Sequence, residues 1–110
     1  MSAYDEILHE AKLMDWEVVG QTRGSFTLQR PASVDPESKL ANLATLQGFQ
    51  LLEQVSVLFT SNGNIYSATL ATPADQRAID GQFIGVSESV TGRDRKKQVI
   101  ALLAMERNYG

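Results

Sequence analysis

Two apolar, β-branched runs, Val55-Ser56-Val57-Leu58-Phe59-Thr60 and Ile65-Tyr66-Ser67-Ala68-Thr69-Leu70, are separated only by the turn residues Ser61-Asn62-Gly63-Asn64. So short a polar connection returns the second run alongside the first, which makes the pair an antiparallel hairpin. A sheet grown from this hairpin needs an apolar layer against it, and the rest of the chain is read for elements that could supply one.

Upstream, Tyr4, Ile7, Leu8, Ala11 and Met14 recur at steps of three and four, the stripe of a helix over Ser2 to Met14. Ser2 is placed to cap it, Asp5 stands at the capping-box spacing, and acids in the first turn suit the positive end of the helix dipole. Trp16 to Thr22 and Ser25 to Arg30 read as a second hairpin, in which Phe26 and Leu28 alternate with Thr27 and Gln29 and Gly24 is expected to supply a permissive dihedral. Pro31 to Pro36 is a loop rather than a domain boundary. Asp35 with Pro36 is expected to open another helix, which Leu40, Leu43, Ala44 and Gln47 continue to a cap at Gly48, although the helical pattern could extend to Glu53.

Beyond the Ser61 turn, Thr72-Pro73-Ala74-Asp75 predicts a short helix or helical turn closed by Gly81. Gln82 to Ser89 reads as a strand with Gly85 as a bulge, and Asp94 to Arg107 as the last helix. Because Val99 to Met105 holds no polar residue, most of the circumference of that helix is expected to be covered by the sheet or by another subunit. At 110 residues, 43% hydrophobic and 21% charged, this order fits one α+β domain over residues 1–110, an antiparallel sheet of about five strands covered on one face by two or three helices. Helix, strand, strand occurs twice, but the offset that sets Phe26 on Phe59 also sets Gly24 on Val57, in mid-strand, so a duplication is not inferred.

Cysteine is absent and His9 is the one histidine. That excludes a disulfide framework, thiol catalysis, iron–sulfur ligation and the common zinc fingers, and neither metal nor cofactor is expected. His9-Glu10 begins like a zinc-protease motif, but Leu13 stands where its second histidine would be. Asp75 and Asp80 read as a capping and a helix-end residue rather than as a catalytic pair. The first ten residues carry acids where a secretory signal needs bases, and Val99 to Met105 is far short of the roughly 20 residues that span a bilayer. A soluble, cytoplasmic chain without a membrane partner is therefore expected.

The net charge of −3 hides an asymmetry. Asp5, Glu6, Glu10, Asp15 and Glu17 face one base, Lys12, near the start, whereas residues 93–97 read Arg-Asp-Arg-Lys-Lys. With Asp94 as N-cap, Arg95, Lys96 and Lys97 would sit in the first helical turn, where cations oppose the macrodipole and a bound phosphate would relieve them. Arg93, Arg95, Lys96 and Lys97 are thus the candidate anion or nucleic-acid contacts. Solvation, or pairing with the acids of the first helix, would account for the same charges. Ser87-Glu88-Ser89-Val90-Thr91-Gly92 lacks the glycine density and lysine spacing of a P-loop and reads as a strand end and turn.

From Ser38 onward the order helix, three extended segments, then a helix with Lys96-Lys97 near its start and Ala101 and Ala104 within it resembles in outline the double-stranded-RNA-binding domain, over about two thirds of the chain. The resemblance implies nucleic-acid binding. It departs from the family at Ser61 to Asn64, which holds no histidine to enter a minor groove, at the extra helical turn of Pro73 to Asp80, and at Val99, where the family has Ala two residues after the Lys-Lys pair. No nucleophile–base pair, metal set or cofactor loop assembles, so an enzyme is not expected. Trp16, Phe26, Phe59, Tyr66 and Phe83 read as core. The leading expectation is a small non-catalytic interaction protein, a regulator or adaptor, with a protein partner and a homodimer through the last helix. The alternative is anion or nucleic-acid binding through the four bases.

Overall fold

The computed structural model describes residues 2–48, 50–71, 77–79, 82–84, 88–90 and 95–109. Helix α1, Ala3–Leu13, starts where its cap signal places it: the Ser2 Oγ accepts the Asp5 N–H at 3.2 Å. Its end is a left-handed turn at Asp15, φ 64°, in which Asp15 N–H reaches the Lys12 carbonyl and Trp16 N–H the Ala11 carbonyl. These bonds satisfy two of the last helical acceptors, with Asp in the place glycine usually takes. They also deliver Trp16 into the core, where it is buried.

Strands β1, Glu17–Gln21, and β2, Ser25–Pro31, form the expected first hairpin. Gly24 does not have the positive φ assigned to it from sequence. The turn is held instead by Thr22, whose N–H donates to the Ser25 carbonyl and whose Oγ1 accepts the Gly24 N–H. After a two-residue strand β3, Ser33–Val34, helix α2 runs Lys39–Gln47. It starts later than Asp35-Pro36 suggested, because Ser38 is the cap, accepting the Ala41 N–H at 3.1 Å, while Asp35 closes the preceding turn through Glu37 and Ser38. Gly48 ends α2 at φ 71°, as expected.

Strands β4, Leu52–Phe59, and β5, Ile65–Ala71, are the hairpin from which the sequence was read, with Gly63 at φ 82° in its turn. The helical turn expected over Thr72 to Gly81 meets a strand: β6, Arg77–Ile79, pairs antiparallel with β7, Gln82–Ile84, while residues 72–76, 80 and 81 lie outside the described residues. The strand expected over Gln82 to Ser89 is divided between β7 and β8, Glu88–Val90, which belong to different sheets; Gly85 lies outside the described residues. Helix α3, Arg95–Ala104, stops three residues before Arg107, and β9, Asn108–Tyr109, pairs in parallel with β3.

The main sheet is antiparallel throughout, in the order β1-β2-β4-β5-β8. Its register sets Leu28 beside Val55 and Val55 beside Leu70, and sets Phe26 beside Val57 and Val57 beside Ala68. Side chains alternate between the faces of a strand, so these residues share one face. Ile7 and Ala11 of α1 and Val99, Leu102 and Leu103 of α3 complete the same buried cluster, which Trp16 joins. Among the described residues α2 contributes none to it. On the last helix the apolar run is satisfied within one chain: Val99, Leu102 and Leu103 are buried, and Ala101, Ala104 and Met105 are exposed. What the run leaves exposed is two alanines and the half-exposed Met105. No described helix is long and apolar enough to cross a membrane.

Burial of this kind predicts a contrast. Leu103→Ala, at a site 0% exposed, should cost about 2–5 kcal/mol in urea unfolding, whereas Leu46→Ala, at a site 85% exposed, should change stability by no more than about 0.5 kcal/mol. Equal effects would contradict the position of α3 in the core.

Candidate interaction site

The four sequence-selected bases do not form one patch. Arg93 and the expected cap Asp94 lie outside the described residues. Arg95 is half-buried and turns back onto the sheet, where Nη1 donates to the Ile65 carbonyl at 3.0 Å. Its Nε is buried and meets no acceptor among the described residues. Lys96 reaches Glu6 of α1 at 2.7 Å, and Lys97 is exposed. One acid of the chain's start and one base near its end thus pair across the α1–α3 contact. Hydrogen bonding and charge from Lys96 hold the Glu6 carboxyl below its ordinary value near 4.5, against a smaller opposing push from burial. His9 is exposed, and among the described residues no group of three or more His, Asp or Glu side chains could hold a metal ion.

A second cluster escaped the sequence reading. Glu53 is 2% exposed, yet it stands in β4 at an inward position, directly across from Arg30 of β2. Its Oε2 accepts from Arg30 Nε at 2.7 Å and its Oε1 from Arg107 Nη1 at 3.1 Å. The arginines use their other donors on the end of α3. Arg30 donates to the carbonyls of Leu103 and Met105, and Arg107 Nη2 to that of Leu102 at 2.6 Å. The indole N–H of Trp16 donates to the Leu103 carbonyl as well, and the Arg30 guanidinium lies 4.3 Å from the centre of the Trp16 ring.

This arrangement explains why α3 ends at Ala104. Side-chain donors take the carbonyls that a further helical turn would have used, and positive charge at a helix C-terminus complements the dipole. The planar guanidinium of Arg30, with donors in a fixed fork, serves a carboxylate and two carbonyls at once. A cavity of about 720 Å³ opens beside the cluster, bordered by Arg30, Glu53, Glu106 and Arg107. The observed bonds give Glu53 and both arginines structural work, joining β2, β4 and the end of α3.

The remaining candidate is the face of the main sheet opposite the core residues. Register puts Thr27 beside Ser56 and Ser56 beside Thr69, a row of hydroxyl residues, with Gly20 of β1 beside Thr27 at one end. On one side of it lie Glu17 of the edge strand β1, Gln29, Gln54 and Ala71, with the Gln29 amide donating to Gln54 Oε1 at 2.8 Å. On the other lie Ser25, Leu58 and Ser67. Register shifts leave one extra residue each in β1 and β5, Val19 and Tyr66, as β-bulges do. Both point away from the core: Tyr66 is 65% and Val19 46% exposed, and Leu58 between them in the sheet is 47% exposed. Tyr66, expected in the core, is therefore on the surface. No residue of the three central strands on this face carries a charge, although charged residues make up 21% of the chain.

Set against known protein families, curated proteins and solved structures, the chain matches none of them. Between α2 and α3 lie five strands, β4 to β8, where the outline of the double-stranded-RNA-binding domain has three, and it is α1 for which a contact with α3 is seen among the described residues.

The lowered Glu6 pKa makes a pH prediction whose sign follows from linkage. The unfolded chain binds the Glu6 proton more readily than the folded one, so the stabilisation from Lys96 is present at neutral pH and is lost as pH falls below about 4.5 and through the depressed folded value. Wild type should therefore be more stable than Glu6→Gln at pH 7, by an amount that shrinks with salt, and the two should converge in acid. A difference that persists unchanged at acid pH would show that Glu6 acts otherwise than through this ion pair.

Proposed function

We propose that this chain is a small non-catalytic interaction domain, a regulator or adaptor, that binds a protein partner through the face of the main sheet opposite α1 and α3. The helices are read as covering one face and leaving the other as the working surface. The observation that carries this reading is the uncharged Ser/Thr/Gln strip of the three central strands, β2, β4 and β5, with Leu58 and Tyr66 exposed on it. Charge depletion around an exposed aromatic is the composition that separates the centre of a protein interface from ordinary surface. A solvent-facing sheet ordinarily carries cross-strand ion pairs, whereas this one carries neutral donors and acceptors that can meet another protein without stranding a buried charge.

The alternative, anion or nucleic-acid binding through Arg93, Arg95, Lys96 and Lys97, has less support. Lys96 is paired with Glu6 and Arg95 is directed at a backbone carbonyl, so only Lys97 of the described three is both exposed and without an ion partner. Removing Arg95 should also destabilise the fold, since the Ile65 carbonyl loses its donor.

A photo-crosslinking side chain placed at Leu58 tests the reading directly. In nuclease-treated extract of the source cell it should give a discrete protein adduct, and the same group at Lys12, on the exposed side of α1, should not. No adduct at position 58, or one that disappears with nuclease treatment, would contradict a protein partner on this face.

A further inference from the structure

We propose that a cavity between the first turn of α1 and the tips of the two hairpins takes a free aromatic amino acid as its ligand. The cavity, of about 520 Å³, lies on the core side of the sheet, so the proposal is independent of the partner face argued above. Its floor is aromatic. The rings of Tyr4 and Phe59, both half-buried, lie 5.0 Å apart, and each also packs on the buried ring of Phe26. Hydrogen bonds fix the walls: the Tyr4 hydroxyl donates to the Thr22 carbonyl at 2.7 Å, and the Phe59 N–H to the Gly24 carbonyl at 2.8 Å. At the rim the Gly63 N–H donates to the Thr60 carbonyl and the Thr60 N–H to that of Asn64. The volume is within the roughly 300–1,000 Å³ of small-ligand sites, and walls already bonded in place leave little to order on binding. Gly24 borders the same space. A Cβ there would meet nothing closer than the Phe59 carbonyl at 3.9 Å, and its φ is not positive, so it is the open cavity that a side chain at this position would encroach on.

The charges at the rim select the ligand. Arg23, in the β1–β2 turn, is exposed, and its guanidinium makes neither a hydrogen bond nor an ion pair among the described residues. Asp5, in the first turn of α1, is exposed too; its Oδ2 accepts from the Ser2 hydroxyl at 2.8 Å, and no described cation pairs with it. The two border one cavity without pairing with each other. A ligand of one charge would therefore meet one wall that attracts it and one that repels it. A ligand with an ammonium, a carboxylate and a ring close together meets Asp5, Arg23 and the aromatic floor at once, and a free aromatic amino acid carries all three on one short skeleton. The larger cavity beside Glu53 offers no such set: Arg30 and Arg107 are spent on Glu53 and on the end of α3, and no described side chain bordering it is aromatic.

Titration of the isotope-labelled full chain with L-phenylalanine, followed by amide chemical shifts to tens of millimolar, tests the proposal. A ligand of about a dozen heavy atoms should saturate with a Kd of about a millimolar, with the shifts centred on Arg23, Gly24, Thr60 and Ser61. Phenethylamine, which lacks the carboxylate, 3-phenylpropionate, which lacks the ammonium, and alanine, which lacks the ring, should each bind more weakly. Arg23→Gln should weaken L-phenylalanine about two- to five-fold without weakening phenethylamine, and Asp5→Asn should weaken it without weakening 3-phenylpropionate. If Asp5→Asn disturbs shifts throughout α1, because its bond to Ser2 is altered, Arg23→Gln in the exposed turn decides alone. The proposal is overturned by shifts that do not saturate or that centre elsewhere. It is equally overturned if either singly charged analogue binds as tightly as L-phenylalanine, or if Arg23→Gln changes the affinity for L-phenylalanine and phenethylamine alike.

Discussion

A single buried carboxylate, Glu53, decides how the last helix meets the sheet. It sits between Arg30 and Arg107, and through those two guanidiniums it is joined to the final carbonyls of α3. Removing such a group from water costs several kcal/mol, which is recovered only where its lone pairs and the opposing N–H groups are well matched. Here both carboxylate oxygens are engaged, and the guanidiniums use further donors on backbone acceptors that the end of a helix leaves free. Break one member and the buried groups that remain each lose a charged partner. The cluster therefore acts less as added stability than as a condition on geometry: α3 ends at Ala104, Trp16 stacks on Arg30, and the chain turns toward β9 only when β2 and β4 are in register.

From that constraint the two faces of the sheet acquire different characters. With α3 seated, Val99, Leu102 and Leu103 meet the strand residues together with Ile7 and Ala11 of α1, and the contact between the helices brings Lys96 to Glu6. The basic segment that looked like a ligand site from its composition is thus partly absorbed into the packing of the domain. On the opposite face, the one proposed for recognition, hydroxyls and amides stand in neutral rows on the three central strands and a bulge turns Tyr66 outward.

Local signals were legible wherever one residue type has one backbone consequence. Ser2 capped α1, Gly48 closed α2 in the left-handed region, and Gly63 turned the β4–β5 hairpin. Reading failed where two such signals compete. Asp35 and Ser38 can each cap, and the serine takes the helix while the aspartate takes the turn before it. Thr72-Pro73-Ala74-Asp75 has the form of a helix start, yet β6 and β7 follow it, because pairing between strands is not written in either strand alone. The Glu53 cluster was invisible for the same reason: Arg30 lies 23 residues before Glu53 and Arg107 54 after it, separations that no local periodicity registers. One clue was present. Arg30 continues the inward alternation of Phe26 and Leu28, and Glu53 that of Val57 and Val55, so two opposite charges occupied positions that alternation assigns to the core.

The central claim is that Glu53 and the arginines act as one unit in holding α3 to the sheet. A double-mutant cycle in urea measures this directly, using Glu53→Gln, Arg107→Gln and the double variant, with folding verified by circular dichroism. Each single change should cost about 3–5 kcal/mol, because each leaves a buried charge short of a partner. The double variant should then cost less than the sum of the two by about 0.5–3 kcal/mol, since the second change removes the group that the first had stranded. Simple additivity, or single variants as stable as wild type, would contradict the claim and leave the end of α3 held by apolar packing alone.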